Sequence, residues 1–224
     1  MNCKLCQQPK TLVDSHIIPR GIHKKLKSKN GKYGGYALLP NKIKTNHQSD
    51  LKEYLLCIDC ELILNRLETP SLKYLGNLED DFTQIHITPQ EAIYLLPFVF
   101  SIFWRASVSG VCSAYRLPLG IENNIRHALY TEDPGQLPNF KLNIRSANIK
   151  KGLIISPWRL SWEGVFPPSS YFFANGLIFS FHEVPGSSSV GPTDCLNLKS
   201  GGIITKALLH EEDMINSCIK ELNK

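Results

Sequence analysis

The chain has 224 residues, 42% hydrophobic and 9% aromatic, with a formal net charge of +5. That composition can bury a core and excludes a disordered chain; the length fits one large domain or a small module joined to a larger one. Residues 1–60 carry eleven Lys/Arg against four Asp/Glu (+7) and residues 61–224 carry 14 against 16 (−2), so the basic character belongs to the N-terminal segment. Such a segment reads either as a phosphate-contacting module or as a lysine-rich solvated surface.

In chain order, "NCKLC" follows Met1 with no apolar stretch, so no secretory leader is expected. "TLVDS" reads as a strand running into "HIIP", and "RGIHKKLKS" as a short helix after Pro19. "NGKYGGYALLPNKIKTN" reads as a loop or a ragged hairpin. "CIDCELILNRLE" has helical spacing, with Ile58, Leu62 and Leu67 near one face and Ile63 and Leu64 beside it. A boundary is expected near 69–88, dividing a Cys/His/Lys-rich unit at 1–69 from a region at 70–224. "ITPQE" carries a capping box, Thr88 with Glu91, and Pro89 in the first turn; the helix should kink near Pro97 and stop at Gly110. Its apolar run, "AIYLLPFVFSIFW", spans 13 residues and is too short for a bilayer, so a buried helix and no membrane contact are expected. "IENNIRHALYTED" reads as a further helix, "KLNIRS" and "GLIIS" as strands, and "YFFANGLIFSFHEV" as a hairpin turning at Asn175–Gly176. "PGSSSVGPTD" reads as a loop and the last 18 residues as a helix. The fold class is α+β: a zinc-stabilised N-terminal module followed by a mixed helical and antiparallel β region.

Cys3-x2-Cys6 and Cys57-x2-Cys60 form two C-x-x-C knuckles. Each offers two thiolates to one ion, and two pairs complete a tetrahedral zinc site. Either pair alone could serve as a redox dithiol, but two pairs in one basic module favour structural Zn2+. Seven Cys in a chain of this kind point to a reducing, cytoplasmic setting, with Cys112, Cys195 and Cys218 as core residues.

The order "CKLC", "VDSHIIP", "LLCIDCE" resembles the HNH endonuclease family, over residues 1–69. The resemblance implies a treble clef with zinc in the knuckles and a ββα-metal element between them. It implies His16 as general base toward a phosphodiester, with a catalytic divalent ion such as Mg2+ or Mn2+. The family's acidic or His ligand just before the base is here Ser15, with Asp14 one position further back. On a strand Asp14 shares the face of His16. The second ligand position, after the last Cys, holds Glu61, and Asn65 lies one turn beyond on the same face. The Asn that normally precedes "LLC" is replaced by Lys52. The resemblance extends to HNH-type nuclease subunits of bacterial antiphage defence modules, which implies an ATPase partner. The function expected first is therefore an HNH-like metal-dependent endonuclease; the departures at Ser15 and Glu61 are the main support for the alternative, a non-catalytic, zinc-stabilised nucleic-acid- or protein-binding module.

Lys24, Lys25, Lys27, Lys29 and Lys32 are the expected backbone contacts to nucleic acid, DNA first and RNA as the other substrate. Tyr33 and Tyr36 could stack on bases or pack beneath their loop. Arg105, directly after the apolar run, reads as a buried charge paired to an acid. Arg126–His127 lacks the spacing of HEPN ribonucleases.

Overall fold

The protein is described from a computed structural model. The described residues are 1–25, 35–38, 43–45, 51–78, 84–137, 141–147, 153–162, 166–174, 176–182, 196, 198–199, 201–207 and 209–222. The loop expected at "PGSSSVGPTD", and Cys195, lie outside them.

The chain is α+β. Strand β1 (Leu12–His16) is followed by helix α1 (Arg20–Lys25), then by short strands β2 (Gly35–Leu38) and β3 (Ile43–Thr45). Strand β4 (Lys52–Cys57) runs directly into helix α2 (Ile58–Gly76). After β5 (Gln84–Ile87) come helices α3 (Pro89–Val108) and α4 (Leu119–Thr131), then strands β6 (Lys141–Ser146), β7 (Leu153–Trp162), β8 (Phe166–Ala174) and β9 (Leu177–His182). Strand β10 (Gly202–Lys206) and helix α5 (Leu209–Leu222) close the fold. Two sheets form among the described residues: the two-stranded ribbon β1–β4, and an eight-stranded sheet ordered β3-β2-β7-β8-β9-β6-β10-β5. The expected ragged hairpin exists as β2–β3, but it joins the large sheet through a parallel pairing of β2 with β7.

Helix α3 starts as its sequence dictates. Thr88 accepts from the Glu91 N–H, Glu91 reaches back to the Thr88 N–H at 2.6 Å, and Pro89 sits in the first turn. It passes Pro97 and ends at Ser109, before Gly110. At 20 residues it is longer than the apolar run alone and, by length and composition, apolar enough to cross a membrane. Most of its side chains instead form the core. Phe100 and Phe103 meet Phe181 of β9 at centroid distances of 5.3 and 4.9 Å, the second edge to face.

One face of the large sheet (Leu142, Ile144, Phe172, Phe179, Phe181, Ile204) packs in the same core as α3. The other face buries Ile155, Phe173 and Ile178 with Ile215 of α5. There a buried ion pair, Arg145–Glu211 at 3.5 Å, also joins β6 to α5. The hairpin β8–β9 turns at Gly176, whose φ of +84° suits glycine.

Helix α2 continues to Gly76, past residue 69 and through Pro70. Its buried side is Cys60, Leu64, Glu68 and Ser71, whereas Ile58 and Leu62, placed near one apolar face by their spacing, are 58% and 52% exposed. The N-terminal knuckle, the ribbon, α2 and α3 contribute to one contiguous core.

Candidate metal centre

The first knuckle is a tight turn. The Cys3 N–H donates to the Gln8 carbonyl at 2.9 Å, and the Gln7 N–H to the Cys3 carbonyl at 2.8 Å. Gln7 closes it with φ +61°, a left-handed conformation that side chains resist. A backbone bond from the Lys4 N–H to the Leu55 carbonyl (2.9 Å) fastens the turn to β4. The second knuckle straddles the β4–α2 junction, with Cys57 extended as the helix cap and Cys60 in the first turn.

Together these turns bring the four Sγ atoms within 4.8 Å of one another. Tetrahedral zinc with bonds of about 2.3 Å requires sulfur separations of roughly 3.8 Å, so the donor set fits. Cys3, Cys57 and Cys60 are buried and Cys6 half-buried. The Cys57 N–H points at Cys3 Sγ (3.3 Å), a donor that stabilises a thiolate. Burial, and then hydrogen bonding with the Cys57 and Cys3 thiols, push the Cys60 thiol far up. A bound dication reverses that penalty by favouring all four thiolates. Lys10 and Asp59 pair at 2.8 Å beside the knuckle.

On the ribbon, Leu12 lies opposite Cys57 and His16 opposite Lys52, with an irregularity at Val13/Asp14. Asp14 is exposed, Ser15 is 1% exposed and His16 is half-buried, the alternation of a strand with one outward face. Asp14 pairs with Lys52 at 3.5 Å. Ser15, at the family's ligand position, faces inward: its hydroxyl accepts from the Leu56 N–H (3.2 Å) and donates to the Val13 carbonyl (3.3 Å). It satisfies the backbone where the strand register shifts.

Glu61 is half-buried, with Oε1 buried and without a hydrogen-bond partner, and Asn65 is exposed one turn on. The α2 side chain brought toward His16 is Glu68, by way of Arg105. Arg105 Nη1 donates to the His16 carbonyl (3.2 Å) and Nη2 to Glu68 Oε1 (2.5 Å). Arg105 is 1% exposed, and it is a structural pair as its sequence context predicts. Among the described residues the four cysteines are the group of three or more metal-ligating side chains close enough to share an ion. Lys24 and Lys25 lie on α1, while Lys27, Lys29, Lys32 and Tyr33 fall outside the described residues.

Sequence reasoning missed three side chains. Glu53 of β4 accepts from Ser109 Oγ (2.6 Å) and the Gly110 N–H (2.9 Å), tying the ribbon to the end of α3. Arg126 of α4 donates to the Leu5 carbonyl inside the first knuckle (3.0 Å). Tyr54 stands 65% exposed on the outer ribbon face. Only Tyr54 had a signal, since strand alternation with the inward Leu55 turns it outward. No family model, curated protein or solved structure matches the chain.

Proposed function

We propose that the N-terminal unit is a zinc-stabilised nucleic-acid-binding module rather than a standard nuclease. The observation that carries this reading is the four-cysteine centre, a donor set that fits one structural ion and joins the two knuckles of a segment bearing +7 charge. Ser15 supports it, because the position that would hold a catalytic metal is spent on the strand backbone. Lysines in such a segment neutralise phosphates, release counterions and bind without reading sequence. Fluorescence anisotropy with labelled oligonucleotides from about 50 to about 200 mM salt tests this. Affinity should fall linearly on a log–log plot and vanish on zinc chelation. A salt-independent or absent signal would remove the proposal.

A second reading is a divergent HNH-like nuclease on a ββα frame, and one observation favours it: Asp14 and His16 share the outward face of β1, between a knuckle and a helix in the family's order. On that reading His16 is the base, and Asp14 and Glu61, supported by Asn65, hold Mg2+ or Mn2+, with an ATPase as partner. Plasmid nicking that needs the divalent ion and disappears in His16→Ala would establish it. Nicking retained by His16→Ala would sink the assignment.

A further inference from the structure

We infer that the outer face of the β1–β4 ribbon binds an unpaired stretch of polynucleotide, with Tyr54 stacking on a base and Lys52 and His16 beside it at the phosphate. The inference rests on the nucleic-acid reading above and gives it a place on the molecule. The face is defined by alternation: Tyr54 and Lys52 on β4 and Asp14 and His16 on β1 look outward, while Ser15 and Leu55 are buried. Tyr54 lies opposite Asp14 and His16 opposite Lys52, so the four form one compact square of ribbon. A tyrosine ring left 65% exposed forgoes most of the burial that normally stabilises an aromatic side chain. An exposed aromatic flanked by cationic and imidazole groups is the combination that holds a base on its ring face and a phosphate on its charge. In a duplex the ring faces of the bases are already stacked on one another, so this platform selects an unpaired strand.

The ribbon is tied across its own strands by Ser15 to Leu56 and held from below at two points: Glu53 to the Ser109–Gly110 turn, and Arg105 to the His16 carbonyl. Little ordering remains to oppose binding. Asp14 sets the strength. It pairs with Lys52 at 3.5 Å with both side chains solvent-accessible, an interaction a phosphate can displace.

The full chain is titrated with fluorescein-labelled oligo-dT, oligo-U and duplex DNA of about 15 nucleotides or base pairs. Zinc stoichiometry and circular dichroism confirm that each variant is folded. Tyr54→Ala should weaken single-strand binding about tenfold, and Tyr54→Phe should stay within about twofold because stacking is kept. Lys52→Ala should lower the salt slope by about 0.7, and Asp14→Asn should tighten binding by freeing Lys52. Duplex affinity should not respond to Tyr54. If the wild type binds single strands and Tyr54→Ala binds them equally well, or if Tyr54→Ala weakens duplex as much as single strands, the platform is wrong and the nucleic-acid reading survives. If the wild type binds none of the three probes, the nucleic-acid reading itself falls.

Discussion

Ser15 shows how one residue can look chemical in sequence and be architectural in space. Its hydroxyl serves the Leu56 N–H at a site 1% exposed, so Ser15→Ala leaves a buried donor unpaired. That should cost roughly 1–3 kcal/mol, read as a lower urea midpoint at unchanged slope. Gln7 makes the opposite case. Its φ of +61° is a glycine conformation, and Gln7→Gly should raise stability by roughly 1 kcal/mol with zinc content unchanged. The cysteines were legible because a knuckle is local: two thiols at fixed spacing nearly define the turn that presents them. Arg105 was legible as a buried charge, since an arginine closing an apolar run has few alternatives. Its partners were not, because Glu68 and His16 lie 37 and 89 positions away.

The phase of α2 is the clearest case at the level of an element. Apolar spacing placed Ile58 and Leu62 near one apolar face, yet both are exposed. The four-cysteine cluster explains why. Cys60 must point inward to reach the other thiols, and that fixes Leu64, Glu68 and Ser71 on the buried side. A ligand that sets the rotation of a helix is invisible to hydrophobic periodicity. By contrast, the start of α3 was legible because a capping box is local. Strands β4, β5 and β10 were not read, since short strands are defined by their partners. The cost of burying Glu68 makes a sharp test. Arg105→Met strands that carboxylate and should destabilise by about 3–5 kcal/mol, whereas Arg105→Met with Glu68→Leu should recover most of the loss. Just before β10, a Cβ at Gly201 would stand 1.9 Å from the Ile87 carbonyl oxygen and φ is +73°. Gly201→Ala should therefore loosen the β10–β5 pairing, measurable as faster amide exchange in β5.

For the whole molecule, the knuckle cysteines belong to the same core as α3 and the large sheet. Chelating the zinc should therefore lower one common thermal transition instead of melting the N-terminal unit separately, as followed by near- and far-ultraviolet circular dichroism together. Helix α3 has a further consequence, one that concerns time. It is complete at Val108, but Phe181, which meets Phe100 and Phe103, is made about 70 residues later. At roughly 5–20 residues per second, a ribosome holds this apolar helix without its cover for several seconds. Nascent chains halted before β9 should therefore be the ones that a chaperone retains.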